Sequence, residues 1–283
     1  MTVVLPPNPQ NDGLAVAEVG AWAEDKYKLV FLYNRLFSTG MKNRWNARVY
    51  IDLYSGPGVV HVRDTRRFMW GSPLLALQVA DPFDKYIFCE KNPQYIAALK
   101  ERVRRLAPDA NVSYVEGDCN DRVGQVSQLI PRASKSYKVL SFCFVDPFNV
   151  SIKFSTIRAI AEGFVDFLIL LALEMDAVRN EVHYTSPENR TLDEFLGQSE
   201  WRGRWSKHAT GVTFPQFLAE EYAKQMEQLR YIPMPVYKMK KVGWDENHTL
   251  YRLALFSRNR LAHTYWSEVL KYGTSQQFLP GME

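Results

Sequence analysis

Residues 49–60 read VYIDLYSGPGVV. An apolar run that suits a buried strand ends at Asp52, and a loop with Gly56 and Gly58 follows directly. A strand that only fills a core needs neither the acid nor the glycines. A ligand-binding turn at the end of a strand uses both, because glycine lets the backbone approach a ligand closely and a carboxylate accepts hydrogen bonds. This stretch therefore predicts a ligand site at the end of a strand.

Similar apolar runs that end in an acid follow along the chain. DKYIFCE ends at Glu90, NVSYVEGD at Asp118 and YKVLSFCFVD at Asp146, and a fifth run, VDFLILLAL, stops near Glu174. Segments such as GSPLLALQVA and NPQYIAALKERVRRLA lie between them and begin as helices do, with proline in the first turn. Near-continuous apolar strands that alternate with helices predict an α/β fold with a mostly parallel sheet.

The pattern changes after the fifth run. Residues from about 176 to 228 are polar and helical in character, and we expect a helical insertion there. MPVYKMKKV and TLYRLALFS, joined by GWDENH, predict an antiparallel hairpin near the C-terminus. Residues 1–20 have no periodicity, so we expect them to be disordered or loosely packed, with one domain over 21–283.

The composition is that of an ordinary soluble globular protein, with 46% hydrophobic and 23% charged residues among 283. The longest apolar run contains Asp166 and falls short of the roughly 20 residues of a membrane span. We expect no signal peptide and a cytoplasmic protein. The cysteines, without a CxxC pair, indicate buried thiols rather than a disulfide framework or a metal site. They are Cys89, Cys119 and Cys143.

In an open α/β sheet, ligands bind beyond the carboxyl ends of the strands. Glu90 could accept both hydroxyls of a ribose, Asp118 could accept an exocyclic amine, and Asp146 could face the reacting end of the ligand. Such an acidic rim suits a nucleoside with a positively charged substituent better than a pyrophosphate. Consistent with this, the sequence has neither the G-x-G-x-x-G dinucleotide fingerprint nor a Walker A motif.

The net charge is +4, and the basic residues are clustered. HVRDTRRFMW and WRGRWSK combine arginines with aromatic side chains, a combination found where proteins bind nucleic acids, although most such clusters are solvated faces. Residues 59–71 are either a mobile, substrate-contacting loop or a plain surface excursion. The candidate substrate contacts are Arg66, Arg67, Trp70, Arg202 and Arg204.

The motifs YIDLYSGPG, GSPLLAL, FCE, EGDCN and FVDPF, in this order, resemble the three-Cys-motif partner family, TcmP. That family is similar to class I S-adenosylmethionine-dependent methyltransferases. The resemblance implies a Rossmann-like methyltransferase fold, S-adenosylmethionine as cofactor, and a three-Cys, radical-SAM-like protein as partner. It places the target at Asp146, Pro147 and Phe148. It places the cofactor at Asp52, Tyr54, Ser55, Gly56, Gly58, Glu90, Asp118 and Cys119.

Two positions depart from the usual methyltransferase pattern. Tyr54 replaces the first glycine of the turn, which is similar to nucleobase methyltransferases with an aromatic residue there. DPFN stands where amino-methylating nucleic-acid enzymes have Asp/Asn-Pro-Pro-aromatic. In those enzymes the acid accepts a hydrogen bond from the target amine and the aromatic ring stacks on the flipped base. Asp146 and Phe148 could play these catalytic parts, or DPF could be a strand-ending turn with a packed phenylalanine.

We therefore expect a protein that binds S-adenosylmethionine and methylates a nucleic acid base or a nucleotide. The altered DPFN motif leaves a second hypothesis open, a non-catalytic partner subunit of a three-Cys protein. A methyltransferase for small molecules or peptides is a third.

Overall fold

The computed structural model describes residues 5–178, 180–243 and 249–274. The strands are β1 (Ala17–Val19), β2 (Ala47–Asp52), β3 (Val59–Val62), β4 (Arg67–Trp70), β5 (Lys85–Glu90), β6 (Val112–Glu116), β7 (Val139–Val145), β8 (Val165–Leu171), β9 (Lys240–Gly243) and β10 (Thr249–Phe256). The helices are α1 (Ala23–Met41), α2 (Ser72–Leu77), α3 (Pro93–Leu106), α4 (Cys119–Leu129), α5 (Phe154–Ile160), α6 (Glu181–Thr185), α7 (Thr191–Leu196), α8 (Trp201–Trp205), α9 (Phe214–Gln228) and α10 (Arg260–Thr274). A π-helix covers Leu173–Ala177, and a 3₁₀ turn covers Val236–Lys238.

Seven strands form the main sheet, in the order β6-β5-β2-β7-β8-β10-β9. The first five are parallel to one another, whereas β10 runs antiparallel to both β8 and β9. This is the Rossmann-like strand order of class I methyltransferases, and it confirms the expected fold class and the antiparallel pairing near the C-terminus. The turn expected at GWDENH falls mainly on residues 244–248, which lie outside the described residues.

The apolar character of the central strands follows from their position. Every residue of β2, β7 and β8 is buried, because helices cover both faces of a parallel sheet. Helix α1 packs against α2 and α10, and a second group contains α4, α5, α7 and α9. The strand ends, where the backbone leaves this core, are therefore the places where polar side chains can meet a ligand.

A second, small sheet lies beside the first, with the order β1-β3-β4. Residues 59–71 are thus mostly a β-hairpin, and the N-terminal strand β1 pairs in parallel with β3. Buried Arg102 fixes the preceding segment: it donates to Asp12 at 2.6 and 2.8 Å, to the Ala15 carbonyl at 2.8 Å and to the Pro57 carbonyl at 2.7 Å. The N-terminal segment is thereby tied to the turn that follows β2.

The chain between β8 and β9 is mainly helical, with the π-helix followed by α6 to α9. The domain boundaries that we assigned from sequence stay a prediction. None of the helices in the described part of the chain has both the length and the apolar character of a membrane span. All three cysteines are free and buried, which confirms the expectation of buried thiols.

Candidate functional site

A cavity of about 220 Å³ opens where β2, β5, β6 and β7 end. Because the carboxyl ends of parallel strands share one edge of the sheet, residues that are distant in sequence meet there. The predicted site residues in its wall are Tyr54, Ser55, Gly56, Gly58, Glu90, Asp118, Cys119, Asp146 and Phe148. Ala17 and Val19 of β1 and Lys26 and Tyr27 of α1 also line the cavity, and the sequence reasoning missed them.

The two glycines of the turn serve different purposes. Both have a left-handed backbone, with φ of +59° at Gly56 and +82° at Gly58. A Cβ added at Gly56 would meet no atom within 4 Å, so this position borders open space. A Cβ at Gly58 would lie 2.8 Å from Leu99 Cδ1 and 2.9 Å from Leu74 Cδ1. Gly56 therefore leaves room in the cavity, whereas packing of the core already requires Gly58.

The carboxylate of Glu90 is held in place by two backbone groups. Its Oε2 accepts a hydrogen bond from Gly56 N at 2.8 Å, and its Oε1 accepts one from Asn92 N at 2.7 Å. A carboxylate has about four lone-pair positions, so each oxygen keeps an acceptor position for another donor. Glu90 is thus a fixed, partly exposed acceptor that suits a pair of hydroxyl groups.

The next strand end presents Asp118 and Cys119. Asp118 caps α4 and accepts a hydrogen bond from Asn120 N at 2.9 Å. Burial raises the pKa of the Cys119 thiol to about 11, so the thiol is neutral at pH 7 and is a packing group rather than a nucleophile. Burial also raises the pKa of Tyr54, whose hydroxyl lies near the Cys119 thiol, well above its usual value. The ring of Tyr54 thus forms an uncharged, partly buried wall.

Asp52 and Pro147 do not line the cavity, and contact of either residue with a ligand stays a prediction. Asp52 is 0% exposed and accepts hydrogen bonds from Tyr50 Oη at 3.1 Å and Tyr54 N at 3.2 Å. Burial, with a smaller contribution from the charge of Asp146, raises the pKa of Asp52 to about 7. As the last residue of a fully buried strand, Asp52 shapes the turn from behind the wall.

At the β7 end, Asp146 pairs with a lysine that the sequence reasoning did not single out. Lys26 Nζ lies 2.5 Å from Asp146 Oδ2, and the two side chains are only 3% and 12% exposed. Two aromatic rings flank the ammonium group, Trp22 at 5.0 Å and Tyr27 at 4.4 Å from their centroids. Lys26 lies on the buried face of α1, where a charged residue is unexpected. This position is the sequence signal that could have identified Lys26 as a functional residue.

Phe148 follows Asp146 at the rim of the cavity and is 63% exposed. The alternative interpretation of DPF is therefore wrong about a packed phenylalanine, whereas a catalytic role for Phe148 stays a prediction. An exposed aromatic ring at the mouth of a cavity is a surface on which a planar group can stack.

The structure does not bring the arginines of the β3–β4 hairpin into the cavity wall. Arg66 lies in the hairpin turn with a positive φ of 54°, and Arg67 pairs with Glu24 at 2.7 Å. Trp70 Nε1 donates to the Pro7 carbonyl at 2.7 Å and so fixes the N-terminal segment. Contact of these residues with a substrate stays a prediction.

Arg202 and Arg204 pair within the helical region between β8 and β9. Arg202 forms an ion pair with Asp193, and Arg204 Nη2 lies 2.5 Å from Glu221 Oε2, on a side chain that is only 2% exposed. Both guanidinium groups thus neutralise acids of the protein. Their contact with phosphates also stays a prediction.

Comparison with known proteins gives only distant similarities. No protein-family model and no curated protein matches the chain. An O-methyltransferase from Bacillus cereus in complex with SAH is 8% identical, with a TM-score of 0.48 over 87% of this chain and 84% of that one. Trm1 from Pyrococcus horikoshii with S-adenosyl-L-methionine is 11% identical, with a TM-score of 0.44 over 91% and 64%.

A Legionella pneumophila protein of the family DUF519 is 16% identical, with a TM-score of 0.40 over 62% of this chain and 74% of that one. At such distances none of these similarities assigns a ligand or a substrate to this chain. The resemblance to TcmP, and with it the three-Cys partner protein, rests on the sequence motifs alone.

Proposed function

We propose that this chain binds S-adenosylmethionine and methylates a base of a nucleic acid or a nucleotide. The observation that carries the proposal is the meeting of three strand ends in one cavity. The residues at these three ends are Gly56, which has a left-handed backbone and borders open space, Glu90, whose carboxylate is held by two backbone N–H groups, and Asp118 at the start of α4. The sheet around them has the strand order of class I methyltransferases.

The residues present fit this cofactor. Glu90 would accept the two ribose hydroxyls through the lone pairs that Gly56 and Asn92 leave available. Asp118 would accept the amino group of the adenine, and the ring of Tyr54 would pack beside the bound molecule. When bound, the cofactor supplies an electrophilic methyl group on a positively charged sulfur.

The remaining residues of the cavity would place the methyl acceptor. Asp146 uses Oδ2 for Lys26, so its Oδ1 can accept a hydrogen bond from an amine. The exposed ring of Phe148 would stack on the base that carries this amine. Methyl transfer to an amine needs mainly positioning, so one fixed acceptor and one stacking surface are sufficient.

The proposal is tested with S-adenosylmethionine that carries a labelled methyl group. Purified protein is incubated with separate pools of transfer RNA, ribosomal RNA, DNA, free nucleotides, peptides and other small molecules. We expect label in at least one nucleic-acid or nucleotide pool and a loss of about 100-fold or more in Asp146→Ala, because the acceptor would lose its positioning contact. Asp109→Ala, which removes an exposed acid outside the cavity, should label as the wild type does. Label that enters only peptides or other small molecules would contradict the proposed substrate class, and no transfer to any acceptor would contradict the activity.

A further inference from the structure

The ion pair of Lys26 and Asp146 lies in the wall of the cavity itself. Both residues line it together with Gly56, Glu90 and Asp118. Removing two charges from water is costly unless they pair closely, and the 2.5 Å separation meets that condition. The pair thus places two opposite charges where the cofactor and the acceptor would meet.

Asp146 is the acid that balances Lys26. The charge of Asp52 also interacts with that of Asp146, but burial raises the pKa of Asp52 to about 7, so Asp52 carries only part of a charge near neutral pH. Its oxygens also accept hydrogen bonds from Tyr50 and Tyr54. On its other sides, the Lys26 ammonium faces aromatic rings. The Asp146 carboxylate therefore neutralises the charge of the Lys26 ammonium group.

We propose that Lys26, by neutralising Asp146, keeps the cavity from preferring S-adenosylmethionine over its demethylated product, S-adenosylhomocysteine. This inference rests on the proposed function. The two molecules differ by one methyl group and by the positive charge on sulfur. An unpaired Asp146 would favour the charged sulfur, and an unpaired Lys26 would disfavour it. The intact pair is close to neutral, so it discriminates little between the two.

The pairing has a consequence for the acceptor. Without Lys26, the Asp146 carboxylate would be drawn to the positive sulfur, and the acceptor amine would compete for it. With Lys26 in place, Oδ2 is occupied by the ammonium group and Oδ1 is left for the acceptor. Lys26 thus acts through Asp146, as a positioning residue.

Calorimetric titration of the full chain with each of the two molecules tests the inference without a methyl acceptor. The preference is the Kd for S-adenosylhomocysteine divided by the Kd for S-adenosylmethionine. Lys26→Met should raise it about tenfold, equivalent to about 1.4 kcal/mol, and Asp146→Asn should lower it by a similar factor. The double variant, with a neutral pair, and Lys26→Arg, which keeps the charge, should both stay within about threefold of the wild type.

A pair that only packs the wall would change both affinities together and leave the preference unchanged. An unchanged preference in both single variants, or a shift in the same direction in both, would overturn the inference. If Lys26→Met does not fold by circular dichroism, an unchanged preference in Asp146→Asn alone is sufficient to overturn it. A wild type that binds neither molecule contradicts the proposed function itself, so the wild-type titration separates the two failures.

Discussion

Replacing each glycine of the β2 turn with alanine separates the role of the turn in folding from its role in binding. At Gly58, alanine must adopt a left-handed backbone, which costs about 1–2 kcal/mol. Its methyl group would also crowd Leu74 and Leu99 at 2.8–2.9 Å, and such overpacking costs about 1–3 kcal/mol. We therefore expect Gly58→Ala to lower the free energy of unfolding by roughly 2–5 kcal/mol.

Gly56→Ala is the matched control, because φ is again positive but no atom lies within 4 Å of the added carbon. Only the backbone cost applies, about 1–2 kcal/mol. For binding, the order of the two effects reverses. The methyl group at Gly56 enters the open space beside Glu90 and should weaken S-adenosylmethionine binding about tenfold or more, equivalent to about 1.4 kcal/mol, whereas Gly58→Ala should have the smaller effect.

Urea denaturation followed by circular dichroism compares the free energies of unfolding of the two variants. Calorimetric titration compares their affinities for S-adenosylmethionine. Equal destabilisation by the two substitutions would refute the assignment of Gly58 to core packing. Wild-type binding by Gly56→Ala would refute the use of this space by the ligand.

Three further predictions concern stability and substrate. Arg102→Ala should lower the free energy of unfolding by roughly 3 kcal/mol and expose the N-terminal segment to proteolysis, because Arg102 holds Asp12 and the Pro57 carbonyl. The control Arg104→Ala removes an exposed ion pair on the same helix and should leave both stability and proteolysis unchanged. Burial raises the pKa of Asp166 from 3.8 to about 7, so the folded state holds a proton that the unfolded chain releases. Stability should therefore fall as the pH rises from about 4 to about 7, and less steeply in Asp166→Asn; an identical slope in urea titrations would contradict this. Binding of a nucleic-acid substrate should weaken by an order of magnitude or more between about 50 and 200 mM salt, and a flat dependence would indicate a small uncharged substrate.

The fold could be predicted because its signals are local. Apolar runs that end in acids, separated by helices of which α2 and α3 have proline in their first turn, identify a parallel α/β sheet and its ligand-binding edge. Glu90, Asp118 and Asp146 each follow or end such a run, and the structure brings all three to one cavity.

The features that could not be predicted from the sequence depend on contacts between distant parts of the chain. Lys26 and Asp146 are 120 residues apart, so no local pattern joins them. The pairing of β1 with the β3–β4 hairpin likewise joins an aperiodic N-terminal segment to residues 59–70. The position of Asp52 behind the cavity wall could not be predicted either, because a strand-ending acid can face either the ligand or the interior, and its orientation is set by the turn that follows.

Binding of S-adenosylmethionine is the central claim, and calorimetric titration of three proteins tests it most directly. The three are the wild type, Glu90→Ala, and Glu116→Ala, which removes the exposed acid paired in register with Glu90 on the next strand. We predict micromolar binding by the wild type, a loss of about tenfold or more in Glu90→Ala, about 1.4 kcal/mol, and no change in Glu116→Ala. A wild type that gives no binding heat, or a Glu90→Ala protein that binds as tightly as the wild type, would contradict the assignment.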